Sequence, residues 1–137
     1  MSTTETDATR LTLTTPPVTR TQIVRFAGAA GDFNPMHHDE PFAVAAGQPS
    51  VFAMGQLTAA ILGAAVADWF GADAVSGYQV RFRDKVWPGD RLVLTAQASG
   101  GDGGSTTDYT LTVTRESDGV VALSGRATVR TGPASRG

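Results

Sequence analysis

A chain of 137 residues with 41% hydrophobic and 18% charged residues can bury one core and is too short for several domains. Eleven basic against thirteen acidic residues leave a net charge of −2, which offers no general attraction for phosphate backbones and argues against a nucleic-acid partner. The absence of cysteine excludes disulfides, thiolate nucleophiles, zinc fingers and cysteine-held iron–sulfur clusters, so any chemistry rests on oxygen and nitrogen groups.

The first twenty residues lack a continuous apolar run and begin acidic, which speaks against a secretory signal and makes the cytoplasm the expected compartment. Met1–Thr9 is polar and without period, and Gly132–Gly137 reads G-P-A-S-R-G, so both ends are expected to be disordered tails around a single domain over residues 10–131. Leu11 and Leu13 alternate with Thr12 and Thr14 as a short strand, stopped by Pro16 and Pro17. A helix follows, capped by Thr19 or Thr21, with Ile23, Val24, Phe26, Ala27 and Ala30 on its apolar face and Gly31 as the left-handed residue past its end. Asn34-Pro35 disfavours helix, so Asp32–His38 is an ordered loop, after which Asp39 caps a short helix with Pro41 in its first turn. Gly47 and Pro49 end that helix.

Val51–Phe70 is apolar on nearly every face. Gln56, Thr58 and Asp68 make membrane insertion expensive, so the segment reads as a buried helix enclosed by protein. The enclosing layer comes from Val75–Arg83, Arg91–Ser99, Thr107–Glu116 and Val120–Thr131, four strands punctuated by Trp87-Pro88-Gly89-Asp90, Gly100–Gly104 and Ser117-Asp118-Gly119. The alternation of Tyr109, Leu111 and Val113 with Thr110, Thr112 and Thr114 marks half-buried antiparallel pairing. The class is therefore α+β, an antiparallel sheet around a central helix, and its open edge predicts a homodimer or a heterodimer with a similar subunit.

Gly31–Asp39 holds two acids and both histidines of the chain within nine residues. Asp32 and His37 lie five positions apart across a proline-bearing turn. That spacing can place a carboxylate and an imidazole on two sides of one water molecule, to deprotonate it and return a proton to substrate. A histidine on a polar loop is more often simply solvated, and Asp39 has its capping role. Asn34 beside Pro35 suits a loop brace through its side chain. His37 and His38 diverge as sequence neighbours and no third histidine exists, which disfavours a metal site. No G-x-S-x-G elbow is present, and Gly100–Gly104 lacks the Lys-Ser/Thr of a phosphate loop.

At the start of the long helix, Gly55 lets a ligand approach a helix N-terminus able to hold a developing oxyanion; the alternative is that it only permits helix–sheet packing. On the following strand Arg81, Arg83 and Lys85 share one face opposite Val80 and Phe82, which are expected in the core. Those cations either contact an anionic group such as a phosphate or form a solvated row.

The string F-A-G-A-A-G-D-F-N-P-M-H-H-D, followed by V-F-A-M-G-Q-L and Y-Q-V-R-F-R-D-K-V-W-P-G-D, resembles the MaoC-type hydratases and dehydratases of the hotdog fold. The resemblance runs from about Thr19 to Leu94 and implies a curved sheet around the long helix, with two hotdogs pairing side by side. It further implies that Asp32 and His37 are the catalytic pair and that the Gly55 N–H polarises a thioester carbonyl. Asn34 and Pro35 brace the loop, and Arg81, Arg83 and Lys85 are candidates for the phosphates of coenzyme A. The implied reaction is reversible addition of water to a trans-2-enoyl thioester of coenzyme A or acyl carrier protein, giving an (R)-3-hydroxyacyl product without cofactor or metal. Met54 stands where many members have histidine, and Gly63 where some have serine. The alternatives are one subunit of a heteromeric hydratase in fatty-acid, polyketide or steroid side-chain metabolism, a hotdog thioesterase, or a non-catalytic acyl-thioester binding protein. Small residues at Ala59, Gly63, Ala64 and Ala67 leave room for a bulky acyl group.

Overall fold

In the computed structural model, which describes residues 2–7, 9–102 and 104–131, six strands form one open antiparallel sheet packed on a central helix. In chain order the elements are β1 (Ser2–Asp7), β2 (Arg10–Thr14), α1 (Arg20–Ala30), a single 3-10 turn at Pro35–His37, α2 (Glu40–Ala45), α3 (Gly55–Phe70), β3 (Val75–Phe82), β4 (Leu92–Gly101), β5 (Thr106–Arg115) and β6 (Val121–Arg130). A second 3-10 turn at Ala72–Ala74 leads into β3. The strand order is β1-β2-β4-β5-β6-β3, so β3 is an edge strand reached by crossing over the helix layer.

The core follows from register. Leu13 lies opposite Leu94, Leu94 opposite Val113, and Val113 opposite Leu123, placing one apolar row across four strands on the helix side. These residues are buried with Leu57, Leu62, Ala65 and Val66 of α3 and Ile23 and Ala27 of α1. Beside this row β3 comes close to β6 at Gly125, where a Cβ would run into the Gln79 carbonyl.

Two expectations are corrected. Ser2–Asp7, placed in a disordered tail, pairs antiparallel with β2 from Ser2 opposite Thr14 to Asp7 opposite Arg10. The segment pairs along an edge of β2 that would otherwise be open. The long helix begins at Gly55 instead of Val51, because Ala53 N–H bonds the Val86 carbonyl and holds residues 51–54 extended. Along one side of that helix Gln56, Ala60, Ala64 and Asp68, spaced one turn apart, are exposed. Gly132–Gly137 lies outside the described residues, and among those described no helix is long and apolar enough to cross a membrane.

Two polar braces tie the sheet to the rest. Arg115, buried at the end of β5, donates to both carboxylate oxygens of Asp118 at 3.1 and 2.8 Å and to the Lys85 carbonyl at 2.8 Å, and lies 3.3 Å from Asp84. The Arg115 hydrogen bonds hold the Asp118 carboxyl below the usual carboxylate range. Tyr78 of β3 donates its hydroxyl to the Ala59 carbonyl of α3 at 2.7 Å, and burial pushes its pKa up to about 12 from an ordinary 10.0. The fold favours the neutral phenol, so this contribution to stability is complete below pH 10 and is lost as the pH rises from 10 to about 12. The expected result is a urea midpoint that falls over that window in the wild type and falls less in Tyr78→Phe. Identical slopes in the two proteins would contradict the burial of the hydroxyl.

Candidate active site

Helix α1 delivers the first acid. Thr19 caps it by accepting from the Gln22 N–H, and it ends at Gly31 with φ 71° and ψ 22°, the left-handed geometry that glycine adopts without strain. The Asp32 N–H then turns back to the Ala27 carbonyl at 2.9 Å, so Asp32 leaves the helix in a fixed direction. Its Oδ1 accepts from the Asn34 N–H at 3.3 Å, and Asn34 Oδ1 in turn accepts from the Met36 N–H at 3.0 Å, the bond that sets up the turn carrying His37.

His37 is 7% exposed. Its Nδ1 lies 2.7 Å from the Phe52 carbonyl, which can only accept, so Nδ1 carries the proton and the lone pair of a neutral ring is at Nε2. Nε2 points to Asp32 Oδ2 at 3.5 Å, with the carboxylate 36% exposed. Two acceptors at that separation suit one water molecule donating to both. The ring is held by an edge-on contact with Phe52, centroids 5.5 Å apart, and Phe52 stands edge-on to Trp87 at 5.7 Å. His38 turns away, with its Nε2 3.4 Å from the Phe33 carbonyl, and Asp39 caps α2 by accepting from the Phe42 N–H at 3.2 Å.

The pair opens into a cleft of about 510 Å³ built from three segments, the Asp32–His37 loop, Phe52–Thr58 and Phe82–Val86. Backbone bonds join them: Phe52 N–H to the Met36 carbonyl at 3.2 Å and Ala53 N–H to the Val86 carbonyl at 2.9 Å. Gly55 and Gln56, the first residues of α3, line the cleft, and Met54 before them supplies no side-chain cap. An uncapped helix N-terminus is a place for negative charge. The site thus combines an acid–base pair and a positive helix end across one space.

The cation row does not have the expected form. Phe82, placed in the core by alternation, is 56% exposed and lines the cleft, whereas Val80 packs against the core. Phe82 keeps the face that alternation gives it, opposite buried Leu123 and against Gly55, but Gly55 is the first residue of α3, so the ring stands at the open end of the helix. Beyond it the ladder ends, the Arg83 and Asp84 N–H groups both turning to the Ala122 carbonyl, at 2.9 and 3.1 Å. As a result Arg83 and Lys85 line the cleft and Arg81 does not. Lys85 Nζ lies 5.5 Å from the centre of the Phe52 ring, and Arg83 donates to Ser124 Oγ at 3.0 Å. Asp84 brings a negative charge to the same rim. The Lys85 N–H and then the Arg115 guanidinium hold its carboxyl below the usual range, and the second of these offsets its charge.

Phe52, Thr58 and Phe82 are site residues that sequence reasoning did not single out. Phe52 acts through a carbonyl fifteen residues from His37, which no side-chain motif encodes. The resemblance carried a signal for Phe82, since it lies inside the matched string, but strand alternation pointed it inward.

Comparison with known proteins adds the family context. The family model described as "MaoC like domain" matches residues 2–119. A curated relative, enoyl-CoA hydratase ChsH3 of Mycobacterium tuberculosis, is 37% identical over 73 residues, 51% of this chain and 26% of that protein, so the match spans about a quarter of the relative's length. Among solved structures, the unliganded R-hydratase PhaJ1 from Pseudomonas aeruginosa superposes with a TM-score of 0.79 at 22% identity, over 93% of this chain and 90% of that one. The ChsH1-ChsH2 complex from Mycobacterium tuberculosis gives 0.74 at 18% identity, over 87% of this chain and 91% of that one. These likenesses establish the hotdog fold.

Proposed function

Because this chain belongs to the family of MaoC-like domains, we propose that it hydrates trans-2-enoyl thioesters, reversibly, to (R)-3-hydroxyacyl thioesters. The observation that carries this reading is the fixed tautomer of His37: with Nδ1–H committed to the Phe52 carbonyl, Nε2 and Asp32 Oδ2 converge on one water position above the uncapped end of α3. A thioester carbonyl accepting from the Gly55 N–H places the enolate charge of the transition state at that helix end. As the water oxygen bonds to C3, its proton passes to the pair and the pair delivers one proton to C2, so one water is consumed whole. The sulfur ester withdraws electrons through the carbonyl, and no cofactor enters the scheme. Arg83 and Lys85, at the rim, are placed for the phosphates of a coenzyme A or the pantetheine arm of a carrier protein.

The same water could attack the carbonyl carbon instead, which is thioester hydrolysis. The reactions separate in 18O-labelled water with crotonyl-CoA: hydration puts the label at C3 and leaves no free thiol, whereas hydrolysis releases coenzyme A and labels the carboxylate. The second outcome would replace the proposal.

The partner follows from β3, an edge strand with Phe82 exposed. We take it to be covered by a second hotdog subunit, identical or similar; the ChsH1-ChsH2 structure named above is a complex of two differently named chains. Light scattering at micromolar concentration is expected to give the mass of a two-subunit particle, and full activity in a monomer would contradict this.

A further inference from the structure

The face of α3 that meets β3 is made of small residues one turn apart, Gly55, Ala59 and Gly63, and β3 sets an aromatic ring on each glycine. A Cβ at Gly63 would make ordinary contact with the Tyr78 ring at 3.6 Å. A Cβ at Gly55 would fall 2.7 Å from Phe82 Cδ1 and 2.9 Å from Cε1, closer than real Cβ atoms come. The space these glycines leave is therefore already filled by side chains, and the small residues do not by themselves open a pocket. The two rings differ in how they are held. Tyr78 is tied to α3 by its hydroxyl, whereas Phe82 has no polar anchor, is mostly exposed, and lines the same cleft as Asp32 and His37.

From this we infer that Phe82 is a specificity-determining residue: its ring, resting on Gly55, admits unbranched enoyl thioesters and disfavours those branched at C2. The inference rests on the proposed placement of the thioester carbonyl at the Gly55 N–H. C2 is the acyl carbon bonded to that carbonyl, so a substituent on C2 is the part of the acyl chain nearest the Phe82 ring in this placement, and C3 lies farther on, toward the Asp32–His37 pair. Crowding one methyl group in an apolar pocket changes transition-state binding by a factor of about 10 to 200. Shortening the side chain removes the crowding and leaves the water-handling pair in place.

The test compares crotonyl-CoA with 2-methylcrotonyl-CoA in the full chain, in Phe82→Ala and in Phe82→Leu. The expected result is that the wild type prefers crotonyl-CoA in kcat/KM, that Phe82→Ala narrows this preference about tenfold, and that Phe82→Leu falls between them. Calorimetric binding of butyryl-CoA and 2-methylbutyryl-CoA to the same proteins gives a second readout that needs no turnover, and the same narrowing is expected in Kd. A preference unchanged within twofold in both readouts overturns the assignment of Phe82. Binding that narrows without turnover in any variant upholds Phe82 and overturns the hydratase reading, and binding of neither thioester by any variant overturns both.

Discussion

Asp32→Asn is expected to lower kcat for crotonyl-CoA hydration by about a thousandfold or more while leaving the melting temperature within about 2 °C. The amide keeps the shape of the side chain and its Oδ1, which still accepts from the Asn34 N–H, so the loop after Gly31 retains its brace. What the change removes is the charge at Oδ2, 3.5 Å from His37 Nε2, and with it one of the two acceptors for the water. His37→Asn is expected to be as damaging to kcat, since it leaves no group to exchange a proton at the position of Nε2. Its Nδ2 takes the place of the ring Nδ1 and can still donate to the Phe52 carbonyl, limiting the stability cost to about 1 kcal/mol. The double variant is expected to be no worse than either single one, because residues acting on one water fail together. Wild-type kcat in either single variant would remove the pair from the mechanism.

Leu62→Ala is expected to act in the opposite sense, costing about 2 to 5 kcal/mol of stability and leaving kcat per folded molecule within about twofold. Leu62 is fully buried near the middle of α3, on the stripe formed by Leu57, Thr58, Leu62, Ala65 and Val66 that faces the sheet. The same core holds Leu94, Leu111, Val113 and Leu123, which form the apolar floor contributed by β4, β5 and β6. A rigid sheet and its packed helices close only partly on the space of three lost carbons, so the cavity term adds to the lost transfer energy. Against a total of about 5 to 15 kcal/mol, that is a large share. A urea midpoint unchanged by the substitution would mean that the helix is not packed on the sheet as described. Together the two substitutions separate the residues that make the fold from those that use it.

Much of this division is legible in the residues, and the failures have physical causes. Gly31 and Asp39 announce the end of α1 and the start of α2 because their roles are local, set by a left-handed backbone and a carboxylate three residues from the N–H it accepts. Tyr109, Leu111 and Val113 reveal β5 because a two-residue period survives wherever one face is buried. Phe82 is read only in part by the same rule. The period gives its face correctly, since it lies opposite buried Leu123 and against Gly55, but α3 begins at Gly55 and leaves the ring exposed at the helix end, which the period does not encode. The start of α3 is set by a bond between residues 53 and 86, and the tautomer of His37 by one between residues 37 and 52, neither of which leaves a pattern along the chain. Arg115, which no motif marks, is the buried link to the cleft rim through the Lys85 carbonyl and Asp84. In the candidate site the nearness of Asp32 and His37 is legible along the chain, whereas Phe52, Thr58, Phe82 and the backbone atoms that aim the pair are not.

The most direct measurement is the decay of conjugated enoyl-thioester absorbance when the purified chain is mixed with crotonyl-CoA, followed by chiral analysis of the product. The account predicts rapid loss with (R)-3-hydroxybutyryl-CoA as the product and no free thiol. Absorbance that stays constant at micromolar protein, with or without a second hotdog subunit, or a product of (S) configuration, would contradict it.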